Sequence, residues 1–124
     1  MQFKSKVIPG RGIGRQLGFP TLNLEILEDF KLLEGVFVCK ITFQVSRFKF
    51  QNLPGVLFYG NRETFDSEKA LEVHILDKDL SEAPESAEVE VIAKIRDVQK
   101  FENEEDLEKQ IKQDCSAARK VLKI

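Results

Sequence analysis

From residue 36 to residue 45 the chain alternates at every step. Phe37, Cys39, Ile41, Phe43 and Val45 fall on one side, and Val36, Val38, Lys40, Thr42 and Gln44 on the other. A period of two is the repeat of a pleated strand and no helix satisfies it, so this stretch presents one apolar face and one mixed face. The pattern returns twice. In residues 71–76, Leu71, Val73 and Ile75 oppose Glu72 and His74; in residues 88–96, Val89, Val91, Ala93 and Ile95 oppose Glu88, Glu90, Lys94 and Arg96, with Ile92 the exception on the polar side. Phe48 and Phe50 alternate with Arg47 and Lys49, which reads as a returning strand. Asn52-Leu53-Pro54-Gly55 then reads as a break before a short apolar run at 56–59.

The period changes only at the end. Leu107, Ile111, Cys115, Ala118 and Leu122 recur every three to four residues and form one stripe of an amphipathic helix. Asn103 is placed to cap it, Glu104, Glu105 and Asp106 lie where the helix dipole favours acids, and Arg119, Lys120 and Lys123 where it favours bases. Short strands followed by one terminal helix read as a mainly β protein, a small antiparallel β-barrel with a C-terminal helix packed on it. No repeat and no Ser/Gly linker divides the 124 residues, so 1–124 is expected to be a single domain.

Charge and cysteine content narrow the function classes. Nineteen Lys plus Arg against 21 Asp plus Glu leave a net charge of −2, which argues against a nucleic-acid binder. Cys39 and Cys115 form no spaced set, so neither a disulfide scaffold nor a four-ligand zinc site is available, and both are expected as free, buried thiols. No apolar run is long enough for a membrane span or a secretory signal, and the chain reads as cytoplasmic, with no need for a membrane or a second subunit.

Three segments carry more. They are Val7-Ile8-Pro9-Gly10-Arg11-Gly12-Ile13-Gly14-Arg15-Gln16-Leu17-Gly18-Phe19-Pro20-Thr21-Leu22-Asn23-Leu24; Gly55-Val56-Leu57-Phe58-Tyr59-Gly60-Asn61-Arg62-Glu63-Thr64-Phe65; and Leu71-Glu72-Val73-His74-Ile75-Leu76-Asp77 followed by Lys94-Ile95-Arg96-Asp97 and Phe101. In this order they resemble a riboflavin kinase domain, of the kind that stands alone or forms the C-terminal half of bifunctional FAD synthetases. Gly-Phe-Pro-Thr-x-Asn is the most specific piece.

The resemblance implies a six-stranded Greek-key barrel with a terminal helix. It also implies transfer of the γ-phosphoryl of ATP to the terminal ribityl hydroxyl of riboflavin, giving FMN and ADP with Mg²⁺ or another divalent cation. By position, Thr21 and Asn23 match the pair that holds metal and nucleotide phosphates, Glu72 matches the catalytic base, and Arg96 and Phe101 fall where the flavin is bound. The chemistry is consistent with those roles. Threonine and asparagine offer neutral oxygens to a hard cation, and a carboxylate on a rigid strand can accept a hydroxyl proton. Gly10, Gly12, Gly14 and Gly18 permit turns in which amides approach phosphate oxygens, and the guanidinium forks of Arg11 and Arg15 suit phosphate. With no nucleotidyl-transfer segment ahead of Met1, the product is expected to be FMN and not FAD.

Taken singly, these residues have plainer readings. The glycines are turns, Thr21 and Asn23 strand-start residues, and Glu72 a solvated strand carboxylate. His74 shares the face of Glu72, where it orients that carboxylate, borders the substrate or simply supports the strand; Phe101 borders flavin or anchors the helix. Three departures from the family pattern stand out: Leu22 in place of alanine, as a bulky neighbour of the metal site, Glu63 in place of proline, and the acidic loop at 81–86. They motivate the alternative reading, a flavin- or nucleotide-binding module that has lost catalysis.

Overall fold

In the computed structural model, residues 1–8, 21–61, 69–76, 78, 80 and 82–124 are described. The alternating segments become six strands: β1 (Gln2–Ile8), β2 (Thr21–Leu24), β3 (Gly35–Val45), β4 (Phe48–Gly60), β5 (Ala70–Ile75) and β6 (Ser86–Arg96). They close into a barrel in the order β1-β2-β5-β4-β3-β6, and every pair is antiparallel. The meander β3-β4-β5 is flanked by β6 beside its first strand and β2 beside its last, which is Greek-key connectivity. Closure gives each of the described strands a partner on both sides.

Each strand then has an inside and an outside. Phe37, Cys39, Ile41 and Phe43 of β3 meet Leu57, Tyr59, Leu71, Val73, Ile75, Leu22, Leu24 and Val89 in the barrel interior. The segment after β2 contributes Phe30, whose ring stands edge-on between Phe3 and Tyr59 at centroid distances of 5.0 and 4.9 Å. Cys39 is fully buried, and that burial pushes its thiol up to about 12. Both cysteines are free and buried, as the sequence led us to expect.

A second apolar layer lies outside the barrel. Val36 and Val38 of β3 and Val56 and Phe58 of β4 are covered by Ile111, Cys115 and Ala118 of the terminal helix α1 (Glu104–Leu122). The mixed face of β3 is therefore divided, with its valines under the helix and Lys40 and Thr42 beyond it. Asn103 caps α1 as read from the sequence, its Oδ1 accepting from the Asp106 N–H at 2.9 Å. Asn103→Ala is expected to lower unfolding free energy by about 1 kcal/mol, measured as a shift in the urea midpoint at unchanged slope. Among the described residues, no helix is long and apolar enough to cross a membrane.

Two sequence readings are corrected. Residues 52–55 do not break the chain; β4 runs through Pro54, which pairs in register with Lys40. The Pro54 carbonyl accepts from the Leu76 N–H at 3.0 Å, so this residue turns its hydrogen-bonding edge toward β5. Its missing N–H therefore removes nothing from the β3–β4 ladder. The irregularity lies nearby instead, where Asn52 adopts φ +53° and its N–H donates to Thr42 Oγ1 at 2.9 Å, within the register shift between Ile41 and Phe43.

The second correction concerns β6. Cys39 pairs with Val91 and Val38 with Ala93, while Phe37 pairs with Lys94 and Val36 with Arg96. Ile92 and Ile95 are thus extra residues at two bulges, each of which slips the alternation by one. Val89 and Val91 face the interior, whereas Ile95 joins the layer beneath α1. The anomaly of Ile92 in the sequence was the trace of the first bulge.

Candidate active site

Strand β2 is short, and its register against β5 decides what meets what. Thr21 lies opposite His74, Leu22 opposite Val73, and Asn23 opposite Glu72. Leu22 and Val73 point into the core, so the other four residues share the outer face of the barrel. The Leu22 side chain therefore does not stand beside the side-chain oxygens of Thr21 and Asn23, as its bulk alone had implied; the alternation sends it to the opposite side of the sheet. Thr21 Oγ1 and His74 Nδ1 are 2.8 Å apart.

Thr21 and Asn23 are half-buried there, whereas the two β5 residues are shut off from solvent although they lie outside the barrel. Glu72 is 7% exposed and His74 3%. On the β4 side, Phe58 is the cross-strand partner of Glu72 and Val56 that of His74, and both belong to the apolar layer under α1. Glu72 thus lies between its cross-strand partners Asn23 and Phe58, on a strand paired along both edges. A solvated surface carboxylate is not what the fold makes of it.

The row continues around the barrel. Following the register pairs from Asn23 leads to Glu72, Phe58, Val36 and then Arg96. Arg96 stands three inter-strand spacings from Glu72, roughly 14 Å along the sheet at about 4.8 Å per strand, with α1 over the middle. The structure brings Thr21, Asn23 and Glu72 together, with His74 added. It brings Arg96 beside Phe101, the guanidinium carbon 6.0 Å from the ring centroid, but apart from the first group. The loop residues Gly10, Arg11, Gly12, Gly14 and Arg15, and Glu63, lie outside the described residues. Of the divergent acidic stretch, residues 82–86 are described, and the Glu85 carbonyl accepts from the Val7 N–H at 2.9 Å, beside β1.

Arg96 is engaged in a way the sequence reading missed. Its Nε and Nη2 donate to the two carboxylate oxygens of Asp114, both at 2.8 Å, and Gln110 Nε2 donates to Asp114 Oδ1 at 3.0 Å. Asp114 is 4% exposed. The bidentate pair bolts β6 to α1. A signal was present: Asp114 falls beside Cys115 on the apolar stripe of the helix, three residues after Ile111 and four before Ala118, where an acid needs a partner. Close by, the hydrogen bond and positive charge of Lys94 hold the exposed Asp97 carboxyl below the ordinary aspartate range.

The donor set fits a phosphate-bound cation. Among the described residues, no cluster of three or more His, Cys, Asp or Glu side chains could hold a metal alone. Thr21 and Asn23 instead offer neutral oxygens on one face beside a single carboxylate. That arrangement suits a hard cation whose negative ligands come from a polyphosphate.

Comparison with known proteins identifies the family. The family model described as "Flavokinase: Riboflavin kinase" matches residues 1–122. The chain is 30% identical over 122 residues to the bifunctional riboflavin kinase/FMN adenylyltransferase of Buchnera aphidicola subsp. Acyrthosiphon pisum, covering 96% of this chain and 38% of that protein. It therefore spans well under half the length of that relative. Among solved structures, it resembles one titled as a macrolide-efflux protein from Streptococcus pneumoniae, with TM-score 0.75 and 31% identity over 95% of this chain and 38% of the other. It shares its fold with riboflavin kinase from Trypanosoma brucei, with TM-score 0.70 and 24% identity over 98% and 79% of the two chains. Members of the family use ATP and a divalent cation. A closed six-stranded barrel with a terminal helix, matched along nearly its whole length, belongs to the riboflavin kinase family.

Proposed function

We propose that this chain transfers the γ-phosphoryl group of ATP to the ribityl 5′-hydroxyl of riboflavin, producing FMN and ADP. The observation that carries the reading is the β2–β5 register, which sets Asn23 against Glu72 and Thr21 against His74 on one face. Glu72 is the general base. It takes the proton of the attacking hydroxyl as that oxygen bonds to the γ-phosphorus and the bond to the ADP oxygen breaks. Thr21 and Asn23 would hold Mg²⁺, which would supply positive charge to offset that of the phosphates.

The remaining work is positioning. Pairing on both edges of β5 keeps Glu72 from swinging away, and Phe58 excludes water from one side of it. Arg11 and Arg15, with the backbone of Gly10, Gly12 and Gly14, clamp the polyphosphate. Phe101 borders the flavin, and Arg96 keeps that wall in place through its grip on Asp114. In this reading the 124 residues are one domain, active as a cytoplasmic monomer without a nucleic-acid or membrane partner.

The test is chromatographic detection of FMN from purified protein with riboflavin, ATP and Mg²⁺, beside metal-free and Glu72→Gln controls. Metal-dependent FMN that is lost in the variant is the expected result. Flavin binding without FMN under any metal or triphosphate overturns it in favour of a binding module that has lost catalysis.

A further inference from the structure

The imidazole of His74 has no part in the reaction as described, yet it is the most deeply buried polar side chain at the site, 3% exposed. Its Nδ1 lies 2.8 Å from Thr21 Oγ1, and the antiparallel register that pairs the two residues holds them there. On its other edge His74 is paired with Val56, a member of the apolar layer under α1. The ring is wedged between a hydroxyl and a hydrocarbon wall.

A threonine hydroxyl has one proton and two lone pairs. To serve a cation it must turn a lone pair outward and send its proton elsewhere. If Nδ1 carried a hydrogen, that hydrogen would occupy one Oγ1 lone pair, leaving the other lone pair and the hydroxyl proton to share the outward side. With the imidazole hydrogen on Nε2, Nδ1 is an acceptor, the hydroxyl proton points inward, and the lone pairs of Oγ1 face out. We propose that His74 is the positioning residue for Thr21: its Nδ1 accepts a hydrogen bond from the hydroxyl and so presents the Oγ1 lone pairs to the divalent cation. The inference rests on the reading of Thr21 as a cation-holding residue. Partners one step behind a metal ligand act in this way, and their loss lowers metal affinity about 10- to 100-fold.

The experiment uses Mn²⁺ as probe, its free signal followed by electron paramagnetic resonance in the presence of a non-hydrolysable ATP analogue, so no turnover is required. His74→Leu, which removes the acceptor, is expected to weaken Mn²⁺ binding about 10-fold or more. It should raise the cation concentration for half-maximal FMN formation by a similar factor, with KM for riboflavin unchanged. His74→Asn, whose amide oxygen can stand near the Nδ1 position, is expected to recover most of the affinity. His74→Gln, one methylene longer, carries its amide past Thr21 and should not recover it; it serves in place of the leucine variant if that fails to fold.

In a Thr21→Val background, His74→Leu should weaken binding no further. Wild-type Mn²⁺ affinity in both His74→Leu and His74→Gln overturns the proposal, as does an undiminished effect of His74→Leu in the Thr21→Val background. If Thr21→Val itself leaves Mn²⁺ affinity intact, the cation reading of Thr21 fails and this proposal falls with it. If Thr21→Val weakens binding and the His74 variants do not, only the positioning role is lost.

Discussion

Glu72→Gln is expected to slow FMN formation by about 10²- to 10⁴-fold while riboflavin and ATP still bind. That range corresponds to about 3–5 kcal/mol of transition-state stabilisation. The substitution keeps the size and shape of the side chain and its capacity to accept a hydrogen bond, so Asn23 and Phe58 retain their neighbour. What it removes is the ability to take a proton. The loss should therefore appear in kcat, with KM for both substrates within a few-fold of the parent. Single-turnover kinetics beside flavin fluorescence titration separate the two quantities. A variant that kept the parent rate would show that the attacking hydroxyl loses its proton elsewhere.

Arg96→Met is expected to be the most destabilising single change outside the barrel core, at about 3–5 kcal/mol. Asp114 is 4% exposed and takes two hydrogen bonds from the guanidinium at 2.8 Å. Removing the arginine leaves a carboxylate inside the seam between β6 and α1 with Gln110 as its remaining donor there. Urea denaturation measures the loss, and helix content followed by circular dichroism should report whether α1 detaches ahead of the barrel. The pair itself is not worth that amount. Replacing both partners by apolar residues, Arg96→Met with Asp114→Leu, should restore most of the stability, since the penalty comes from the charge left behind. A double variant as unstable as the single one would mean that the bidentate geometry, and not the stranded charge, holds the helix.

Legibility in the sequence followed how local each feature is. The helix could be read to its cap because Asn103, the acidic first turn and the apolar stripe all lie within one segment. Strands β3 and β5 were equally plain, since strict alternation needs no knowledge of the partner. Strand β4 was cut in two because Pro54 looks like a break until one knows that its edge faces past the end of β5. The phase of β6 was lost at Ile92 and Ile95, where only the register against β3 reveals the bulges.

The site divides the same way. Thr21, Asn23 and Glu72 could be singled out through resemblance, but nothing local says that Asn23 faces Glu72. Thr21 and His74 lie 53 positions apart in the chain, and only barrel closure joins them. Period two also told which way Glu72 points without telling what covers it. A face called polar from sequence turned out to be partly roofed by a helix over β3 and β4, and the carboxylate lies beside that roofed part.

One consequence follows from the way β2 is held. It is four residues long, joined to β1 only at Leu24 and Asn23 and to β5 at Thr21, Leu22 and Asn23. The meander β3-β4-β5 is built from neighbours in sequence, whereas β2 must be recruited from across the chain, the slower kind of contact to form. A nascent chain with the meander in place but β2 still adrift would carry Glu72 without Thr21 and Asn23 opposite it. In the function proposed above, the site is thus assembled by the same event that completes the hoop of strands, and an unfinished molecule has no means of consuming ATP.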